Sequence, residues 1–247
     1  MVLVQVVNTV EDVAKVAEAI GPLHKEPPSL YVSLAGLRTD RFGVTAPKLS
    51  IYPFPAGPIF VVDMLQMKER AINTVGKCGT SLKDFLEGNG TKCFFDVRHD
   101  SNVLYCLYKI KLDGVQDIVL MELATRPRSG RFVSALWKCI KNDAQLFAAE
   151  KSAQVESKEK GLQVIDPNRG GSSNAFFGLH MRPALIDDCA KSVQSLPQLW
   201  KHYYSQLDRE WRIKVAEQSM KRLEESWKDT FDGSRLDMVS GPSAWIE

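Results

Sequence analysis

The sequence lacks the features that mark membrane, disulfide-stabilised and zinc-binding proteins. Its apolar runs fall well short of the roughly 20 residues that a membrane-spanning helix needs. The five cysteines are scattered and include no Cys-x-x-Cys pair, which argues against a disulfide framework and a structural zinc site. The N-terminus is apolar but carries no basic segment, so we interpret it as a first strand and not as a signal peptide. These absences predict an intracellular protein, cytoplasmic or nuclear, with no membrane partner.

The sequence also lacks a strong excess of charge of either sign. Its 32 Lys and Arg and 30 Asp and Glu give a formal net charge of +2, so composition alone does not demand a polyanionic partner. An apolar fraction of 44% and a charged fraction of 25% are typical of globular domains. The chain is long enough to bury a substantial core.

Segments that suit strands alternate with segments that suit helices, which predicts an α/β fold. The predicted strands are Leu3–Val7, Leu30–Leu34, Gly43–Ile51, Ile59–Asp63, Lys92–Phe95 and Val115–Val119. The predicted helices are Val10–Ile20, Thr80–Leu86, Asn102–Tyr108, a helix from Leu120, Phe132–Ile140, Pro183–Trp200 and Tyr203–Trp227. Ala148–Lys160 is charged and only weakly periodic, and Asp166–Asn174 is predicted to be a loop. No internal repeat or linker divides the chain. We therefore expect one main domain over residues 1–205, with a C-terminal helix and tail over residues 206–247 packed on it.

Four stretches stand out as candidate motifs: Leu30–Gly36, an apolar run closed by glycine, and Lys92–Asp100, Gln116–Arg126 and Cys189–Pro197. They resemble motifs of 3′–5′ exonuclease domains of the RNase D type, in which the first stretch is a strand with Asp-x-Glu followed by Gly. Lys92–Asp100, Gln116–Arg126 and Cys189–Pro197 are similar to a fungal-type subgroup, in the family's order and spacing. The resemblance implies a ribonuclease H-like fold, with a mixed central sheet around Leu30–Leu34, flanking helices and a helical C-terminal extension.

What the family implies is phosphodiester hydrolysis with two divalent cations, Mg²⁺ or Mn²⁺, held by four carboxylates. Two dications about 4 Å apart repel, and only clustered carboxylates make such a pair stable. Carried over by motif, the first Asp and Glu are Ser33 and Ala35, and the second-motif Asp is present as Asp100. The third-motif Tyr and Asp are Asp188 and Ser192. A hydroxyl and a methyl group cannot replace carboxylates around a hard cation. These departures from the family motif therefore predict a lost two-metal activity and no metal cofactor, with Mg²⁺ or Mn²⁺ expected only if residual nuclease activity exists.

Three functional hypotheses follow from this departure. The leading one is a catalytically degenerate exonuclease-like protein that serves as a binding platform for RNA, for another single-stranded nucleic acid, or for a protein partner. The alternative is an enzyme of another class that uses the emptied cleft for a small molecule and recruits Ser33, Asp100, Asp188, Cys189 or Ser192. The third is a residual metal-dependent nuclease in which Asp100 and Asp188 are the catalytic residues. We expect a monomer, with a homodimer as the alternative because Tyr203–Trp227 carries several apolar side chains.

The densest group of basic residues follows the second motif. Arg126, Arg128 and Arg131 are candidate phosphate contacts, with Lys138 and Lys141 beyond them, and the competing interpretation is a solvated helix-loop face. The only aromatic residues among them are Phe132 and Trp137, which we interpret as candidate core residues. His99 and His180 have no partner motif and are interpreted as isolated surface or packing histidines.

Overall fold

A computed structural model of the chain describes residues 2–21, 23, 27–40, 43–55, 57–126, 132–177, 181–233 and 236–245. For residues 37–40, 43–46, 173, 236 and 237 only the backbone is described. The strands and helices in chain order are β1 (Val4–Val7), α1 (Val10–Ile20), β2 (Leu30–Asp40), β3 (Gly43–Pro53), β4 (Ile59–Asp63), α2 (Met64–Met67), α3 (Arg70–Asn73), α4 (Leu82–Glu87), β5 (Lys92–Phe94), α5 (Val97–Tyr108), β6 (Val115–Asp117), α6 (Ile118–Ala124), α7 (Leu136–Asn142), α8 (Ala148–Ile165), α9 (Pro183–Gln194), α10 (Leu196–Tyr204) and α11 (Arg209–Ser226).

The chain forms two compact units, each assembled from two segments. The first unit is Met1–Phe85 with Leu146–Ser195, and the second is Leu86–Gln145 with Leu196–Glu247. Within the second unit, α11 packs against α5, β6 and α6. The expected main domain over residues 1–205 with a C-terminal extension over residues 206–247 stays a prediction.

The first unit contains a mixed sheet with the strand order β1, β4, β3, β2. β1 is parallel to β4, whereas β2, β3 and β4 form an antiparallel meander. Every residue of β4 is buried, as its continuous apolar run indicates. α1 is capped by Thr9, whose side chain accepts a hydrogen bond from the backbone N–H of Asp12, and it buries the apolar face that was predicted for it. α9 packs on β2, β3 and β4, and α8 packs on α9.

The second unit contains the parallel pair β5 and β6, with α10 packed on α6 and β5. The predicted strand Val115–Val119 ends two residues earlier, because Asp117 caps α6 by accepting a hydrogen bond from the Val119 backbone N–H. In the described part of the chain, no helix is long and apolar enough to cross a membrane.

Two helix predictions need correction, and one helix was not predicted. The single helix expected over Pro183–Trp200 is broken at Ser195, between α9 and α10, and Pro197 lies in the first turn of α10, where proline is tolerated. The helix expected over Tyr203–Trp227 is interrupted before Asp208, whose side chain caps α11. The weakly periodic segment from Ala148 is a full helix, α8.

Candidate functional site

The two first-motif positions lie on β2, where they share one face of the sheet because they are two residues apart. Ser33 is directly opposite Ser50 of β3, and Ala35 is directly opposite Lys48 of β3. Lys48 is in turn opposite Asp63 of β4. Paired residues of antiparallel strands project to the same face. Ala35, Lys48 and Asp63 therefore form one row across three strands, which we call the Lys48 row.

The Lys48 row contains a buried ion pair. Lys48 Nζ lies 2.6 Å from Asp63 Oδ1, and the two side chains are only 0% and 5% exposed. The same carboxylate oxygen accepts the backbone N–H groups of Leu65 and Gln66, each at 3.1 Å, at the start of α2. A desolvated ammonium is stable only when it is paired in this way. The first-motif face thus carries a fixed cation of the protein itself.

The sequence analysis missed Lys48. The signal that identifies it is its place in the meander: β3 pairs with a strand on each side, and the residues around Lys48 are buried. A charged residue inside such a strand requires a partner of opposite charge on a neighbouring strand.

Helix α9 covers the face that carries the Lys48 row, and it places Cys189 there. The Cys189 thiol is buried, and its pKa is raised to about 12, mainly by burial and also by the nearby charge of Asp188. The positive charges of Lys158 and Lys48 oppose this rise of the pKa. The thiol is therefore protonated at neutral pH, and a protonated thiol is a poor nucleophile.

The other two α9 positions are held by protein partners. Asp188 Oδ2 lies 3.1 Å from Nζ of Lys158 on α8, and a Cβ placed on Gly161 of α8 would lie 2.8 Å from the same oxygen. The Asp188 carboxylate therefore faces α8. Burial raises its pKa, and the charge of Lys158 opposes that rise. The Ser192 hydroxyl donates to the Cys189 carbonyl oxygen at 2.6 Å.

Asp100 is buried in the first turn of α5, in the second unit. The start of α5 is anchored by the buried Asp117, which accepts the backbone N–H groups of Asp96 at 2.8 Å and Val97 at 3.4 Å. Asp117 also pairs with Arg222 of α11 at 2.7 Å. Since Asp100 belongs to the second unit, its expected proximity to Ser33, Ala35 and Ser192 stays a prediction.

The residues of the first unit do not fit the two-metal site that the resemblance implies. Positions 33, 35 and 192 supply a hydroxyl, a methyl group and a hydroxyl already bonded to backbone, and the carboxylate at 188 is paired with a lysine. Two divalent cations need several anionic oxygens. Within the described ranges, no three His, Cys, Asp or Glu side chains form a group that could hold a metal ion.

Of the predicted basic contacts, Arg126 is described in full. Its guanidinium donates to both carboxylate oxygens of Glu122, at 2.8 and 2.7 Å, to the Phe132 carbonyl at 2.8 Å and to the Ser134 hydroxyl at 2.7 Å. Arg126 therefore holds together the end of α6 and the segment before α7. Arg128, Arg131 and His180 lie outside the described residues. His99 is half-buried on α5.

The interpretation of the two nearby aromatic residues as core is wrong. Phe132 is 57% exposed and Trp137 is 60% exposed. Lys138 and Lys141 of α7 are also exposed. Aromatic rings and ammonium groups are thus presented to solvent by the same short stretch of chain.

Comparison with known proteins supports the fold. No protein-family model matches this chain, and no curated protein matches it. Among solved structures, it is similar to Trypanosoma brucei RNase D in a complex with GMP, with a TM-score of 0.75 at 16% identity over 98% of this chain and 70% of that one. The same enzyme in complex with RNA U12 gives a TM-score of 0.74 at 15% identity, over 99% and 78%. Escherichia coli RNase D, an exoribonuclease involved in structured RNA processing, gives 0.57 at 12% identity over 92% and 51%. The chain has the fold of RNase D-type 3′–5′ exonucleases, as its motifs predict.

Proposed function

We propose that this chain uses the exonuclease fold to bind single-stranded nucleic acid, with RNA as the first candidate, and does not hydrolyse it by the two-metal mechanism. The observation that carries the proposal is the Lys48 row. It supplies a methyl group and a buried, paired ammonium on the strand face where divalent cations would need carboxylates. Because the Lys48 ammonium already pairs with the Asp63 carboxylate, the row offers an incoming cation no unpaired anionic oxygen.

Two observations favour nucleic acid as the ligand. Structures with the same fold have been solved with GMP and with RNA U12, which makes a short single-stranded RNA the first ligand to test. The sequence between residues 122 and 143 contains five Lys or Arg against two acidic residues, Glu122 and Asp143, a local net charge of +3. A local excess of positive charge of this kind attracts a phosphate backbone even when the whole chain is nearly neutral.

The two enzymatic hypotheses have less support. For an enzyme of another class, Cys189 offers a protonated thiol, and the Ser192 hydroxyl is engaged by backbone. For a residual nuclease, the Asp188 carboxylate is engaged by Lys158 and faces α8. Two of the residues proposed for chemistry in the first unit, Asp188 and Ser192, are thus bonded to partners within the protein.

The test is a binding measurement with and without metal. Fluorescein-labelled oligouridylate of twelve nucleotides is titrated with the protein, and anisotropy is recorded in EDTA and in Mg²⁺, with a duplex of matched length as the control. We expect the single strand to bind equally well in both buffers and more weakly as salt rises. The proposal is overturned if neither this RNA nor the matching deoxythymidylate binds at micromolar protein and moderate salt.

A further inference from the structure

The side chains of Phe132, Trp137, Lys138 and Lys141 form a surface that the exonuclease motifs do not explain; we call it the α7 surface. Trp137 and Lys141 are four residues apart on α7 and so lie on one face of the helix, with Lys138 beside them. The opposite side of α7 buries Cys139 and Ile140. The helix is therefore fixed by its apolar side while the rings and ammonium groups face solvent.

The exposed tryptophan is the most unusual member of this surface. Large aromatic side chains usually bury most of their area, yet Trp137 is 60% exposed. Among the described residues it makes no hydrogen bond or ring contact. The indole leaves apolar area that a ligand could cover.

The backbone that presents the α7 surface is held firmly. Arg126 donates to the Phe132 carbonyl and the Ser134 hydroxyl, and the Val133 backbone N–H donates to the Val239 carbonyl at 2.9 Å. At the other end of α7, Asp143 accepts the Tyr203 hydroxyl at 2.7 Å. Rings on a rigid frame lose little entropy when a ligand stacks on them.

A polar cavity of about 500 Å³ adjoins this surface. Phe132 and Lys138 line it together with polar side chains, among them Ser134, Asn142 and the carboxylates of Glu122 and Asp143. A ligand that stacks on the ring of Phe132 therefore meets donors and acceptors that can bond the edge of a base.

We propose that the α7 surface binds single-stranded nucleic acid, with unpaired bases stacking on Trp137 and Phe132 and phosphates meeting Lys138 and Lys141. Aromatic rings combined with cationic side chains are the means by which proteins hold single strands without reading their sequence. A protein partner fits less well, because lysine is depleted in protein–protein interfaces. The inference rests on the proposed function and assigns it to a surface. It also gives Arg126 the role of a positioning residue.

The experiment compares variants in the anisotropy titration with labelled U12. Trp137→Ala should weaken binding about tenfold or more, since stacking on one ring contributes substantially to each base, and Trp137→Phe should keep most of the affinity. Lys138→Gln/Lys141→Gln should lower the slope of log affinity against log salt by about 1.4, the value for two phosphate contacts on a single strand. The control Lys221→Gln/Lys228→Gln removes two exposed lysines elsewhere in the second unit and should change neither quantity.

The outcomes separate this inference from the proposed function. If the parent binds no single strand, both fail. If the parent binds but the Trp137→Ala and double lysine variants bind as tightly, or if a duplex binds equally well, the α7 surface is wrong while the proposed function stands. Crosslinking of U12 containing 4-thiouridine to the unaltered parent gives a check that is free of folding effects. Adducts within residues 132–142 are expected, and adducts only elsewhere would overturn the assignment.

Discussion

Ala35 lies directly opposite Lys48 in the pairing of β2 with β3. In an antiparallel pair, opposite side chains approach each other within contact distance on one face of the sheet. A carboxylate at position 35 would therefore meet an ammonium of the protein before it met a metal ion. This relationship adds a second physical reason, beside the missing carboxylates, for the proposed absence of a two-metal site.

Restoring the family's residues should show that Lys48 competes with a metal ion for a carboxylate at position 35. We expect the rebuilt chain with Ser33→Asp, Ala35→Glu, Asp188→Tyr and Ser192→Asp to bind Mg²⁺ weakly, because the new carboxylate at position 35 pairs with Lys48. Adding Lys48→Gln to the rebuilt chain should raise Mg²⁺ affinity at least tenfold, since about 1.4 kcal/mol of competing interaction is enough for that change. Isothermal titration with MgCl₂ compares the two backgrounds, and equal affinities would contradict the account.

Removing one partner of the Lys48–Asp63 ion pair should strongly destabilise the protein. Lys48→Met leaves the buried Asp63 carboxylate without its counter-ion, and such a loss destabilises by about 3–5 kcal/mol. Lys48→Met/Asp63→Asn removes both charges, keeps an amide oxygen to cap α2, and should recover at least half of that loss. Urea unfolding midpoints measure both variants. The exposed pair of Lys15 with Asp12 is the matched control, and Lys15→Met should leave the midpoint unchanged. A double variant no more stable than Lys48→Met would refute the coupling.

Lys92 should make stability depend on pH in the alkaline range. Its side chain is buried, donates to the Gly88 carbonyl at 2.7 Å and the Asp113 carbonyl at 2.5 Å, and burial lowers its pKa to about 8, against an opposing effect of the Asp113 charge. Between pH 8 and the ordinary value of 10.5, the unfolded chain binds this proton more than the folded chain does. The contribution of Lys92 to stability therefore rises as pH rises through that window.

The measurement for Lys92 is the difference in unfolding free energy between the parent and Lys92→Met, recorded from pH 7 to pH 10. Other groups titrate there too, including Cys189, but they cancel in the difference. We expect the parent to gain on the order of 2 kcal/mol relative to the variant over this range. A difference that is flat with pH would show that Lys92 keeps its proton in the folded state.

The contact between α8 and α9 depends on a glycine. A Cβ at position 161 would lie 2.8 Å from Asp188 Oδ2 and 2.9 Å from its Cβ. Replacing a helical glycine by alanine ordinarily stabilises by up to about 1 kcal/mol, but here Gly161→Ala should destabilise by about 1–3 kcal/mol because the helices must separate. Thermal unfolding shows whether Gly161→Ala stabilises or destabilises the protein. Gly161→Ala/Asp188→Gly removes the clash and should regain part of the loss; a stabilised Gly161→Ala would contradict the packing.

The sequence predicts the sheet better than the helices because apolar runs such as Ile59–Asp63 are buried on both faces and leave a continuous signal. It fails for α8, where the buried positions are the small residues Ser157 and Gly161 and no apolar stripe exists. The sequence also gives no sign of the break between α9 and α10, because both helices are amphipathic and Ser195 is compatible with a helix as well as with a turn. Local pattern cannot show a break that tertiary packing imposes.

For the candidate site as well, some residues can be predicted from the sequence and others cannot. The departures from the family motif at Ser33, Ala35 and Ser192 can be identified from the sequence, because each position has a fixed spacing from a recognisable stretch of chain. Lys48 becomes part of the site only through strand register, and its partner Asp63 is fifteen residues away. Trp137 was interpreted as a core residue because hydrophobic side chains are buried on average. The sequence does not show which hydrophobic side chain is exposed instead.

The most direct test of the central claim is turnover by the parent protein. Labelled U12 is incubated at high protein concentration with Mg²⁺ and with Mn²⁺, and the products are resolved on a denaturing gel beside the Asp100→Asn variant. The account predicts that the RNA stays at full length in every lane while it remains bound to the protein. A ladder of shortened products that requires the metal and disappears in Asp100→Asn would show that Asp100 belongs to an active nuclease site and would contradict the account.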